Sequence, residues 1–175
     1  DAEAMYMHLD GNTLYTAIAA GCGPFIVDGY ILPGDVFFDF GQDGTWDTAM
    51  TTVGDTAGDV WTGIGEWYIG PLILYRDQGP YLVQQDVATD TGAGAGFAYN
   101  ADAYGPQHWV IELAFDLSGA QYDAFMTNGV LAHWTYVCGN DVLELPLNPS
   151  VPEPATMVLL GLGVVGFVVR RQFAL

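Results

Sequence analysis

Along residues 5–18, apolar and polar side chains alternate with the two-residue period of a β-strand. Met5, Met7 and Leu9 alternate with Tyr6 and His8, Asp10-Gly11-Asn12 supplies a turn, and Leu14-Tyr15-Thr16-Ala17-Ile18 takes up the alternation again, which predicts a hairpin. A second hairpin is predicted from residues 35–40 and 45–52 across Gly41-Gln42-Asp43-Gly44. Further strands are expected at 66–69, 72–75, 81–86, 109–116, 131–138 and 142–147. The spacing of Tyr122, Phe125 and Met126, after a capping Ser118 and before the stop Asn128-Gly129, predicts a helix over 118–128. The Gly-rich stretches 53–65 and 91–105 read as loops. Many short strands with Gly-rich turns and one small helix point to a mainly β fold, an antiparallel β-sandwich of jelly-roll type.

The periodicity ends near residue 150. Val151-Pro152-Glu153-Pro154 is followed by an unbroken apolar run at 155–169 and by Arg170-Arg171. Pro152 and Pro154 lack amide donors and hold their neighbours extended, so a hydrophobic C-terminal α-helix is expected to begin only near Pro154, with Glu153 at its positive end. Fifteen helical residues span about 22 Å, short of the roughly 30 Å hydrocarbon layer that an ordinary anchor crosses. Such a helix is not ordered alone in water and needs lipid or other copies of itself around it. The chain is thus divided into a β-sandwich at 1–148, a Pro-rich linker at 149–154 and a hydrophobic segment with a basic end at 155–175.

Val151, Pro152, Glu153 and Pro154, the Gly-rich run Leu159-Leu160-Gly161-Leu162-Gly163 and the pair Arg170 and Arg171 resemble, in order and type, the sorting signal of PEP-CTERM proteins. The resemblance implies export in a Gram-negative bacterium, processing by a membrane-embedded exosortase, at least transient contact with the membrane, and delivery to the cell surface or extracellular matrix. Asp1 in place of an initiator Met, without a charged-then-apolar leader, fits the expectation of a mature exported form. Gly161, Gly163 and Gly166 remove side-chain bulk from the apolar segment and would let helices of several copies approach closely. Self-assembly into a filament or sheath is the structural role expected from that feature.

The body is similar to the β-sandwich of family-nine carbohydrate-binding modules and DOMON-like domains. The residues concerned are Leu14-Tyr15-Thr16-Ala17-Ile18, Asp35-Val36-Phe37-Phe38-Asp39 with its acidic turn, and Trp109-Val110-Ile111-Glu112-Leu113-Ala114-Phe115. In that family the glutamate of the late strand points inward. The resemblance implies the second expected role, a membrane-anchored carbohydrate-binding module that holds extracellular polysaccharide of a biofilm matrix. His133-Trp134-Thr135-Tyr136-Val137-Cys138-Gly139-Asn140-Asp141 is also similar to a segment found upstream of PEP-CTERM tails.

Charge narrows the partners. The chain has 21 acidic side chains against three Lys and Arg; Glu153, Arg170 and Arg171 lie in the tail, so residues 1–150 keep 20 acids and one cation, Arg76. Nucleic acid is excluded, because its phosphates need clustered Lys and Arg. An acidic body repels its own copies unless cations intervene, and calcium is the candidate outside a cell. Asp39, Asp43 and Asp47 flank one tight turn and are the candidate metal ligands. They do not form an EF-hand, since Gly41 and Met50 stand where the third and twelfth loop positions need oxygen ligands. Cys22 and Cys138, in a protein expected outside the cytoplasm, are the candidate disulfide.

Five tryptophans and ten tyrosines offer flat faces for sugar rings. Trp109 and Trp134 sit in predicted strands and read as core, whereas Trp61 and Trp67 border a Gly-rich loop and are the candidate sugar-binding residues. Enzymatic activity is not expected. His8, His108 and His133 have no metal-ligand spacing, and neither serine lies in a nucleophile elbow. Glu112 and Asp116 on one strand face would stand about 13 Å apart, too far for a glycosidase pair.

Overall fold

The computed structural model describes residues 2–21, 33–65, 67–68, 80–101, 108–136 and 141–149. Among them lie β1 (Ala2–Asp10), β2 (Thr13–Ala20), β3 (Val36–Phe40), β4 (Thr48–Met50), β5 (Asp59–Thr62), β6 (Trp67–Tyr68), β7 (Leu82–Val83), β8 (Thr89–Ala93), β9 (Gly96–Ala101), β10 (Trp109–Asp116), α1 (Gly119–Asn128), β11 (Val130–Thr135) and β12 (Val142–Leu147). The strand expected at 72–75, the candidate disulfide Cys22 and Cys138, and the C-terminal helix lie outside the described residues.

Two antiparallel sheets carry the fold, a four-stranded one in the order β1-β2-β10-β9 and a six-stranded one in the order β12-β11-β3-β4-β5-β8. A separate two-stranded ribbon, β6-β7, completes the described strands. The sheets share one core: Leu14, Ile18, Ile111 and Phe115 from the first meet Val36, Phe38, Met50, Val130 and Trp134 from the second. At its centre Phe38 and Phe115 have ring centroids 5.0 Å apart. Each side chain that alternates inward contributes roughly 1.5–3 kcal/mol of apolar burial.

At its centre the second sheet buries both faces, so β3 is not amphipathic. All five of its residues are buried. Val36, Phe38 and Phe40 face the shared core, while Phe37 points the other way into a smaller cluster with Ala49, Trp61, Ile64 and Val83. Gly34 sets the ribbon against this second face. A Cβ there would stand 2.4 Å from the Thr135 carbonyl oxygen and 2.7 Å from that of Tyr81, so only glycine fits. Its own carbonyl oxygen accepts from Trp134 Nε1 and from Thr52 Oγ1, each at 2.8 Å.

Asp35 completes this junction. It is 3% exposed and accepts from the backbone N–H groups of Thr52 at 3.0 Å and Val83 at 2.8 Å. Burial pushes its carboxyl up to about 7, against the opposing pull of the Val83 and Thr52 hydrogen bonds.

The hairpin β1-β2, the strands β10 and β12 and the helix fall where the sequence pattern puts them. Ser118 caps α1 in a reciprocal box with Gln121, and Gln121 Nε2 reaches Thr48 Oγ1 at 2.6 Å, tying the helix to β4. Only Phe125 of the expected apolar helix face is buried, and Met126 remains 45% exposed. The two stretches read as loops are corrected, because they contain β5, the end of β8 and β9. Every residue of β8 is exposed, so backbone pairing with β5 holds it and no hydrophobic alternation marks it. The chain passes from β8 to β9 through Gly94, where a Cβ would meet Met50 Cε at 2.5 Å and the Ala114 carbonyl at 2.6 Å.

Candidate functional site

Among the described residues, the outer face of the four-stranded sheet is exposed around Tyr6, His8, Tyr15 and Glu112, while Ala19 and Val110 at one end of it are buried. In β1 and β2 the inward phase is Met5, Met7, Leu9, Leu14, Thr16 and Ile18, so the outward phase carries Tyr6, His8, Tyr15 and Ala17. Register sets these in rows: Tyr6 lies across from Ala17, Ala17 from Glu112, and Glu112 from Ala98. The next row is His8, Tyr15, Ala114 and Gly96. Tyr6 is 53% and Tyr15 46% exposed, so both rings reach solvent.

Ala17 is therefore the floor of a shallow depression of about 210 Å³ whose walls include Tyr6, Tyr15, His8 and Glu112. Glu112 is exposed and accepts a hydrogen bond from Asn100 Nδ2, one strand further along. That position corrects the inward-pointing glutamate implied by the carbohydrate-module resemblance. In β10 the inward phase belongs to Ile111, Leu113 and Phe115, which leaves Glu112 on the solvent side. The aromatic pair is readable as the outward phase of the first hairpin, whereas the spacing of the tryptophans carries no such pattern.

Trp134 lies in the core as expected, and Trp61 departs from expectation. Trp61 is 6% exposed and belongs to the small cluster behind β3, so its ring is covered and offers no face to a sugar. Trp61 sits in β5, which the Gly-rich stretch around it does not reveal. Trp67 lies in β6, and its side chain lies outside the described residues. Trp134 is fully buried, and Trp109 is half-buried. Trp46 is half-buried, its ring 5.4 Å from that of His133. His133 Nδ1 in turn lies 3.1 Å from Glu144 Oε1.

Asp39, Asp43 and Asp47 come together at the β3–β4 turn, with their carboxylates turned to the backbone. Asp39 accepts from the N–H groups of Asp43 at 3.1 Å and Gly44 at 2.8 Å. Asp43 accepts from Thr45 N–H at 2.9 Å, and Asp47 from Phe40 N–H at 2.7 Å. Burial, with smaller contributions from the charges of Asp39 and Asp43, raises the Asp47 carboxyl above its ordinary range. This is the geometry of a self-capped acidic turn. Among the described residues no three His, Cys, Asp or Glu side chains are grouped to hold a metal.

His8, His108 and His133 stand on different strands or connections, and His108 pairs with Glu3 at 2.8 Å. A cleft of about 460 Å³ opens at the end of the sandwich between β5, β8 and the start of α1. Two of its polar side chains are tied to the fold: Thr91 Oγ1 donates to the Val60 carbonyl at 2.7 Å, and Asp116 Oδ1 accepts from Thr13 Oγ1 at 2.5 Å. No helix among the described residues is long and apolar enough to cross a membrane.

Residues 150–172 match the family model of the PEP-CTERM protein-sorting motif. The match includes Val151, Pro152, Glu153, Pro154, Gly161, Gly163, Gly166, Arg170 and Arg171, all outside the described residues. It marks the chain for export and cell-surface sorting in bacteria, with exosortase as the processing partner. No curated protein and no solved structure matches the chain.

Proposed function

We propose that this chain is an exported structural protein of the cell surface or extracellular matrix of a Gram-negative bacterium, in which exosortase reads the tail and the acidic sandwich faces outward. The observation that carries this reading is the order of parts. Only Asn148 and Pro149 separate the last described strand, β12, from the sorting motif at 150–172. In the finer form of the proposal, tails that are kept pack against one another or in lipid through Gly161, Gly163 and Gly166 and link copies into a filament or sheath. A disulfide between Cys22 and Cys138, and calcium between acidic bodies, belong to the same proposal. A chain in which Pro152, Glu153 and Pro154 are all replaced by Ala is expected to lose surface delivery in an exosortase-bearing host, and unchanged delivery would overturn the reading. Electron microscopy of native material tests assembly, which single particles of uniform size in detergent would refute.

One observation favours a second reading, a module that attaches matrix polysaccharide to the surface. Tyr6 and Tyr15 stand exposed on one sheet face beside Glu112 and Asn100. Aromatic faces for ring stacking next to polar groups for hydroxyls are the chemistry that holds sugars.

A further inference from the structure

The geometry points to the outer face of the four-stranded sheet as a binding site for a polysaccharide that carries protonated amino groups, an inference that rests on the polysaccharide reading above. Three features of the face act together. Tyr6 and Tyr15 occupy adjacent rows on neighbouring strands, a diagonal relation with Cα atoms roughly 7–8 Å apart. Two rings so placed can meet one flat extended chain. Around them stand Ala17, Ala98, Ala114 and Gly96, and this low floor leaves the rings free for approach from solvent.

Glu112 is the third feature. It lies in the same row as Tyr6 with Ala17 between them, and diagonal to Tyr15 across the β2–β10 pair. An ammonium group seated above Ala17 would have a carboxylate on one side and the electron-rich faces of two phenol rings on the other, an arrangement that combines ion pairing with cation–π attraction. Asn100 holds the carboxylate from the far side and leaves its remaining acceptor capacity for a ligand.

Net charge selects among sugars in the same direction. The chain carries −18 overall and has no lysine, so it repels uronate or sulfated chains and draws in a polycation. A polycationic sugar would also screen the repulsion between neighbouring acidic bodies. General attraction of that kind depends on total charge and weakens with salt, whereas the seat at Glu112 depends on position.

The full chain in detergent micelles, titrated by calorimetry with a glucosamine oligosaccharide and with its fully N-acetylated counterpart, tests this. The glucosamine chain is expected to bind more tightly, and Tyr6→Ala and Tyr15→Ala each to weaken it roughly tenfold, with Tyr6→Phe restoring binding because it keeps the ring face. Glu112→Gln is expected to weaken binding clearly more than Asp123→Asn, which removes the same charge from the exposed side of α1. Equal effects of those two substitutions, or equal affinity for both oligosaccharides with the tyrosines still required, would overturn the amino-sugar assignment and leave the polysaccharide reading standing. Absence of binding by either oligosaccharide, or indifference to both tyrosine substitutions, would remove the reading itself.

Discussion

Replacing Asp35 by Asn perturbs the junction that holds the β6-β7 ribbon to the six-stranded sheet. The side chain accepts from two backbone donors, Thr52 N–H and Val83 N–H, in a fully buried setting. Asn keeps one acceptor and turns an NH₂ towards the other donor, which leaves an unpaired buried N–H at a cost of roughly 1–3 kcal/mol. The wild-type carboxyl carries a cost of another kind.

Its folded-state value of about 7 lies above the ordinary 3.8, so between those limits the folded chain binds more protons than the unfolded one. Stability from this group is therefore full below about 3.8, declines as pH rises, and is lost above about 7, by on the order of 4 kcal/mol in all. The Asn variant has no such proton to lose. Urea unfolding of both chains across this range should find the wild type more stable in acid and the gap closing or reversing at slightly alkaline pH. The other acidic groups are shared, so their titration cancels in the difference. A gap that stays constant with pH would refute the reasoning.

Gly34→Ala is expected to destabilise the fold by about 3 kcal/mol or more, because the new methyl meets two backbone carbonyls that cannot move aside; a small change in the urea midpoint would count against that packing. Millimolar calcium is expected to leave the melting temperature of the described fold unchanged, since Asp39, Asp43 and Asp47 already cap backbone N–H groups. A saturable rise would show that the β3–β4 turn opens to take an ion.

What the sequence made legible follows from how each element is held. The hairpin β1-β2, β10 and β12 were legible because one face of each meets the shared core. α1 is bounded by Ser118 and Asn128-Gly129, whose side-chain and backbone chemistry is local. The strands β5, β8 and β9 were hidden in Gly-rich sequence: β8 is held by pairing alone, and Gly58 and Gly94 are required by close approach to Phe97, Met50 and Ala114. That omission led to the misplacement of Trp61, since a tryptophan beside a loop reads as exposed and one in β5 is covered.

The Asp35 junction joins residues 17 and 48 positions away, a distance that local pattern does not reveal. The aspartate spacing at the β3–β4 turn invites an ion because carboxylates that cap amides and carboxylates that bind cations share the same sequence. The open aromatic face is the reverse case. Tyr6 and Tyr15 sit in the polar phase of a strand pattern that was read correctly, and the phase itself placed them outside.

The most direct test of the account is surface labelling of the β-sandwich on intact cells that carry or lack exosortase. The account predicts labelled sandwich on exosortase-bearing cells and unprocessed protein held back in the membrane fraction of the others. Equal labelling of both, with the same C-terminus in each, would contradict it.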